Sequence, residues 1–284
     1  MIGLIAHSEK AEGRAAVRLM IKALKECNIA FALEANTAAL VGRRSRLDVR
    51  ALAADAELLV VMGGDGTILR VVHKLGALLR PILGVNIGSL GFLTCVGVAE
   101  IGRAVQSIVR RDYVVSPRAL LRAELSPAVG RRAHLQGLND VVISRGERSQ
   151  LVKIAVRIDG TELTDYNADG LIISTPTGST AYSLSAGGPV LMPDSGAFVV
   201  TPICPHVLTN RSTVVSDRSV IEARLVVPEK EVFVTVDGRA TRAMRVGDVL
   251  RVFKSDRTLP LVTLPGRSFP KVLRQKLKWS GSNV

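Results

Sequence analysis

The chain has 284 residues, enough for two modest domains that each bury a core, and its composition is globular at 47% hydrophobic and 4% aromatic. A net charge of +13 favours anionic ligands such as nucleotides, but the basic residues are scattered apart from Arg43, Arg44, Arg46 and Arg131, Arg132. Few aromatics are interleaved with them, so the charge reads as a solvated basic surface and no nucleic-acid partner is expected.

Cys27, Cys95 and Cys204 form no Cys-x-x-Cys pair and read as reduced thiols of a cytoplasmic protein. The opening Met1 to Ala6 is too short for the apolar core of a signal peptide and is soon followed by Glu9 and Lys10. No apolar run approaches the ~20 residues of a membrane span, so no membrane partner is expected.

In chain order, Ile2, Leu4 and Ile5 predict a first strand. Val17, Met20, Ile21 and Leu24 mark one face of an amphipathic helix ending near Asn28, and Ile29 to Leu33 predicts a second strand. The Arg-rich segment from Ala35 to Asp55 reads as surface loop with a helical turn or two. Leu58 to Met62 is a buried-strand run, followed by Gly63-Gly64-Asp65-Gly66-Thr67 and then by Ile68, Leu69, Val71, Val72 and Leu75 at helical spacing. This helix is expected to run to about Leu79, stopped by Pro81, before a strand at Ile82 to Val85. Val98, Ile101, Val105 and Ile108 close the last helix of the region. Alternating strands and helices imply right-handed crossovers and a parallel sheet, with ligands at the carboxyl ends of the strands. Gly63 to Thr67 and Asn86 to Leu90 both fall there.

After about Tyr113 the period changes to two. Val152, Ile154, Val156 and Ile158 alternate with polar neighbours and end at the Asp159-Gly160 turn. Val232, Val234 and Val236 repeat the pattern up to Asp237-Gly238, with Val249 to Phe253 as the expected partner strand. The expected organisation is an α/β domain with a parallel sheet over residues 1–113, a β-rich, mostly antiparallel domain over 114–265, and a basic tail over 266–284 that returns to the first domain.

Three stretches carry candidate chemistry. In the glycine turn, the glycines let a phosphate approach the backbone, and the first amides of the helix point toward an anion. The Asp65 carboxylate cannot bind phosphate, so it holds a metal, accepts a proton or orients a hydroxyl, as in a phosphoryl-transfer site. The second stretch runs from Asn167 to Pro189, where a strand at Leu171 to Ser174 leads into a loop dense in hydroxyls and glycines. Thr177, Thr180, Ser183 and Ser185 suit ribose hydroxyls or phosphates, and Tyr182 suits stacking on a base. The bland alternative is a polar turn that satisfies its own backbone. The third is Asn139-Asp140, an amide beside a carboxylate that suits an adenine edge and a ribose diol together.

Other motifs are missing. There is no Gly-x-x-x-x-Gly-Lys-Ser/Thr, and Gly-x-Gly-x-x-Gly is not met because Ile68 and Leu69 stand where another glycine is needed. His7, His73, His134 and His206 have no metal-ligand spacing, and direct protein ligands to a metal are not expected.

Together the three stretches resemble the NAD kinase family. The likeness also covers Thr201-Pro202-Ile203-Cys204-Pro205-His206 and the Lys276-Leu277-Lys278-Trp279 tail, and spans nearly the whole chain in order. The glycine turn is shared with diacylglycerol and sphingosine kinases and phosphofructokinases; the long loop is the discriminating element. The resemblance implies phosphoryl transfer to the adenosine-ribose 2′-hydroxyl of NAD, with ATP as donor, polyphosphate as an open alternative, and Mg²⁺ bridging the donor phosphates. On this reading Asp65 orients and deprotonates the hydroxyl. Gly63, Gly64, Gly66 and Thr67 form the phosphate-approach turn, and Arg70 neutralises a phosphate from the first helical turn. Asn139 and Asp140 hold the adenosine or ribose of NAD. Asn167, Asp169 and the loop holding Thr177, Thr180, Ala181, Tyr182, Ser183 and Ser185 complete the pocket.

The resemblance also implies a homodimer or homotetramer. Asp140 stands where glutamate is usual, Arg239 replaces a frequent glutamine, and Val207 and Ser212 depart from the common Ser and Pro. The alternatives are a lipid kinase sharing the glycine turn, which needs an apolar acceptor pocket, and a non-catalytic NADP-binding sensor, which has no use for Asp65.

Overall fold

The computed structural model describes residues 1–7, 11–88, 91–146, 151–207, 209–227 and 231–279. It divides into two compact units: Met1–Pro117 with Leu259–Val284, and Arg118–Thr258.

Unit 1 is built on a parallel sheet. Strands β1 (Ile2–Ala6), β2 (Phe31–Leu33), β3 (Leu58–Gly63) and β4 (Ile82–Asn86) lie in the order β2-β1-β3-β4. The short β5 (Val96–Gly97) and residues 261–262 both pair with β4. All these pairings are parallel, as the alternation of strands and helices predicts. Because β2 and β3 fall on opposite sides of β1, the winding direction reverses between β1 and β3, and ligands of such sheets sit at that end of the strands.

Helix α1 (Ala11–Glu26) buries Ala16, Val17, Met20, Ile21 and Leu24 on one face against β1, β3 and β4. The segment expected as surface loop with a helical turn or two holds two short helices, α2 (Ala35–Leu40) and α3 (Val49–Asp55). The reason lies in their caps. The Glu34 carboxylate accepts the Thr37 amide at 2.9 Å and the Asp48 carboxylate accepts the Ala51 amide at 2.7 Å. Val49, Leu52 and Ala53 are buried, so the apolar residues of this Arg-rich stretch pay for its order.

Helix α4 (Asp65–Leu75) ends four residues before Leu79. Gly76, at φ 56 and ψ −109, stops it, in a conformation that side chains disfavour, so Pro81 is not the terminator. Helix α5 (Ile101–Arg110) completes the layer.

Unit 2 is a β-sandwich. Strands β6 (Val114–Ser126) and β7 (Ala133–Gly137) form a hairpin. Strands β8 (Asp140–Arg145), β9 (Val152–Ile158), β10 (Thr161–Ala168) and β11 (Gly170–Ser174) follow, with the one-turn α6 (Tyr182–Ser185) after a 3-10 turn at Gly178–Thr180. Then come β12 (Ala197–Ile203), β13 (Thr213–Ser216), β14 (Ile221–Leu225), β15 (Val232–Val236), β16 (Ala240–Met244) and β17 (Val249–Thr263). One antiparallel sheet runs β13-β12-β11-β8-β15-β16, and β10-β9-β14-β17 form the opposing layer. Inward residues of both, such as Val141, Ile143, Ile173, Val234, Ile154, Val156, Ala223 and Val252, share one core.

The expected pairing of β15 with residues 249–253 is not formed. Asp237 and Gly238, both at positive φ, close a tight turn that returns the chain onto β15 as β16, while Val249 to Val252 pair with β14. The turn geometry outweighs the more apolar distant segment.

After β17, helix α7 (Phe269–Lys276) packs within unit 1: the Phe269 and Phe92 rings are 6.0 Å apart and Lys276 Nζ lies 5.8 Å from the Phe92 centroid. Arg267 pairs with Glu100 at 2.6 Å. No helix among the described residues is long and apolar enough to cross a membrane.

Candidate active site

The glycine turn sits at the carboxyl end of β3, where Gly63 lies level with Asn86 of β4. Gly63 is buried against Thr67, and a Cβ there would overlap the threonine side chain. Gly64 and Gly66 face open space, since a Cβ on either would meet nothing within 4 Å. That space lies at the amino end of α4, where free amides and the helix dipole favour an anion.

Asp65 is the first helical residue. Its Oδ2 accepts the Phe92 amide at 2.7 Å and its Oδ1 the Leu93 amide at 3.0 Å. Gly91 passes so close that any side chain there would run into the carboxylate. A carboxylate has about four acceptor sites, so one amide on each oxygen fixes its orientation and leaves room for a hydroxyl. Arg70, half-buried, sits in the second turn of α4 rather than the first, because the helix starts as early as Asp65. Ser89 and Leu90, part of the other strand-end segment singled out by the sequence, lie outside the described residues.

In unit 2, Asp140 opens β8 with Asn139 just before it, and the structure brings them onto the loop that follows β11. Thr175 N donates to Asn139 O at 2.9 Å, and Thr175 Oγ1 donates to Leu138 O at 2.6 Å. Gly178 lies flat on the Asn139 backbone, which leaves no room for a Cβ. Asn139 Oδ1 is buried with no partner among the described residues, an acceptor of the kind a bound ligand satisfies. Asp140 is 5% exposed; burial, and then the charge of Asp237, push its carboxyl up to about 7.

Asn167 lies on β10, and its carbonyl accepts the His206 amide at 2.9 Å. Asp169 follows at the β10–β11 junction, where its Oδ1 accepts Arg145 Nε at 2.6 Å. This stretch therefore draws Pro205-His206 and Arg145 toward Asn167 and Asp169.

The hydroxyl-rich loop divides into inward and outward residues. Ser183 is buried and shares a 3.0 Å hydrogen bond with Thr201, Thr180 Oγ1 donates to Thr177 O at 3.1 Å, and Ser179 donates to Pro176 O at 2.7 Å. Ser179 and Thr180 thus bond the backbone of their own turn, while Ser183 is tied to β12. Thr177 is 6% exposed, whereas Tyr182 is 46% exposed, with Ser185 also facing out and Ala181 partly covered. Sequence reasoning gave no role to Gly91 to Leu93, Arg145, Thr175 or Asp237. Thr175 lay within the hydroxyl-rich stretch and Asp237 read only as a turn residue; the others carried no local signal.

Residues 3–113 match the ATP-NAD kinase N-terminal domain and residues 138–264 the ATP-NAD kinase C-terminal domain. The chain is 37% identical to an NAD kinase of Syntrophotalea carbinolica over 98% of both chains. It is 45% identical to an NAD kinase of Geotalea daltonii over 79% of each. In structure it resembles yeast NADH kinase complexed with NADH, at a TM-score of 0.90 and 26% identity over 100% of this chain and 89% of that one. It also resembles an NAD kinase from Archaeoglobus fulgidus in complex with ATP, at a TM-score of 0.78 and 26% identity over 98% and 99%. The chain is a phosphotransferase with an alcohol group as acceptor. The chain belongs to the NAD kinase family.

Proposed function

We propose that this chain transfers the γ-phosphoryl group of ATP to the 2′-hydroxyl of the adenosine ribose of NAD, giving NADP and ADP. The observation that carries the mechanism is the Asp65 carboxylate, fixed by two backbone amides at the amino end of α4 beside the open positions of Gly64 and Gly66. The ribose oxygen attacks the γ-phosphorus, the bond to the β–γ bridging oxygen breaks, and the hydroxyl proton passes to Asp65. The turn of Gly63, Gly64, Gly66 and Thr67 receives phosphate, with Arg70 as counter-charge. Asn139 and Asp140 hold the adenosine or ribose, where Asn139 Oδ1 accepts an adenine amino proton or a ribose hydroxyl. Asn167, Asp169, Thr177, Thr180, Ala181, Tyr182, Ser183 and Ser185 form the rest of the dinucleotide pocket. Within it Tyr182 and Ser185 make contact, and Thr180 and Ser183 hold the loop's shape.

Among the described residues no three His, Cys, Asp or Glu side chains converge as a metal-ligand set. Mg²⁺ would be held by the ATP phosphates, as that hard, strongly hydrated ion commonly binds in kinases. Bound there it neutralises developing charge on the donor oxygens. Three free cysteines suit a reducing, cytoplasmic setting. A homodimer or homotetramer is part of the proposal, tested by light scattering on the eluting protein.

The test is a coupled assay of the purified chain with ATP, Mg²⁺ and NAD or NADH, in which an NADP-specific dehydrogenase detects product. Asp65→Asn is expected to lose about 10²–10⁴-fold in kcat, the usual contribution of a general base, while still binding NAD. Near-full turnover by that variant removes Asp65 as the base. No product with either acceptor overturns the proposed activity.

A further inference from the structure

The backbone around Asn139-Asp140 is held from two sides, and its polar groups can be counted. Asp237 Oδ2 accepts the Leu138 amide at 2.8 Å, and Asp237 Oδ1 accepts those of Asn139 at 2.8 Å and Asp140 at 3.2 Å. The Asp237 amide in turn donates to Asp140 O at 3.1 Å. From the other side, Thr175 takes the carbonyls of Leu138 and Asn139, and Ser174 Oγ adds a 3.3 Å contact to the latter. Every backbone donor and acceptor from Leu138 N to Asp140 O is thus satisfied without water.

Three successive amides converging on one carboxylate need its charge and both its oxygens. An asparagine has one acceptor oxygen, and its amino group would face an amide donor. Asp237 reaches this place because β15 runs beside β8, Val236 lying opposite Val141, and the turn that follows is at positive φ. The placement also has a cost. It sets a second carboxylate beside the buried Asp140, which a role in stability alone would not favour.

We infer that Asp237 is a positioning residue of the kinase reaction, a clamp that sets the Asn139-Asp140 pair in the one geometry that receives the dinucleotide. The inference rests on the reading that this pair contacts NAD. Asp237 itself touches neither substrate; it acts through the three amides.

The experiment is steady-state kinetics on the full-length wild type, Asp237→Asn, Asp237→Glu and Asp140→Asn, varying NAD and ATP separately. Both Asp237 variants are expected to raise KM for NAD by about tenfold or more, the loss of one to two charge-assisted hydrogen bonds, and to leave KM for ATP within about twofold. They also differ in a readout that loosened packing would not produce. Asp237→Asn removes the negative neighbour of Asp140, so the acid limb of kcat/KM for NAD moves to lower pH; Asp237→Glu keeps the charge and leaves that limb in place. An unchanged KM for NAD in either folded variant overturns the inference, as does an equal rise for both substrates. If Asp237→Asn does not fold, Asp237→Glu decides by KM alone. An unchanged KM for NAD in Asp140→Asn instead removes the underlying reading. A rise there with none in the Asp237 variants removes the clamp alone.

Discussion

Asp140 is an aspartate whose neighbours oppose its ionisation: it is 5% exposed and has Asp237 beside it. Its folded-state pKa of about 7 lies above the unfolded value, so between about pH 4 and pH 7 the native chain holds a proton that the unfolded chain has released. Its contribution is therefore most favourable on the acid side of this window and is lost as pH rises through it, the reverse of a salt-bridged carboxylate. Asp140→Asn should remove this slope. Melting temperatures of variant and wild type at pH 5 and pH 8 are expected to diverge in the variant's favour at pH 8, by about 2–4 °C for each kcal/mol. A constant difference across that range would show that Asp140 does not titrate there. Gly91 is the matching test for Asp65. Gly91→Ala drives a methyl group into the carboxylate. Turnover should fall by about tenfold or more, the cost of misplacing a reacting group by an ångström or so, with NAD binding retained; unchanged turnover would show that the carboxylate's position is not critical.

At the scale of elements, helix boundaries were set by caps and glycine geometry more than by apolar period. The pattern of Ile68, Val71, Val72 and Leu75 was enough to find α4, and all four are buried. Its end was misplaced, because Pro81 reads as the stop, whereas the backbone angles at Gly76 end the helix. Gly76→Ala should cost about 1–3 kcal/mol, seen as a lower urea midpoint at unchanged m-value, since a Cβ is strained in that conformation. Likewise α2 and α3 were legible only as a helical turn or two in a surface segment, since their order comes from Glu34, Asp48 and burial of residues such as Val49 and Leu52. The β15–β16 hairpin shows the converse, where a local turn outweighed hydrophobicity.

At the scale of the whole molecule, the end of the chain bears on the proposed base. Phe269 of α7 and Lys276 lie on the Phe92 ring, and the Phe92 amide donates to Asp65. The Arg267–Glu100 pair ties the approach to α7 at 2.6 Å. Phe269→Ala is expected to destabilise unit 1 by about 1 kcal/mol, as for loss of one aromatic pair, and to lower kcat more than it raises KM for NAD. Equal kcat with lower stability would confine α7 to a packing role.

The sequence by itself determined the α/β and β-rich character of the two halves, because apolar period is a local property that burial obeys. It also determined the glycine turn at a strand end and the family resemblance. Only the tertiary structure decided how the chemistry-bearing side chains are held. Asp65 takes its amides from residues 92–93, and Asn139-Asp140 is clamped by Asp237 and Thr175, about 98 and 36 positions further along from Asn139. Such contacts leave no periodic trace, since each depends on where separate segments meet. The hydroxyl loop makes the same point, for its composition announced a binding site but the fold turned Ser179 and Ser183 inward and left Tyr182 exposed. Hydroxyls bond whatever acceptor packing brings within reach, and packing is a property of the whole chain.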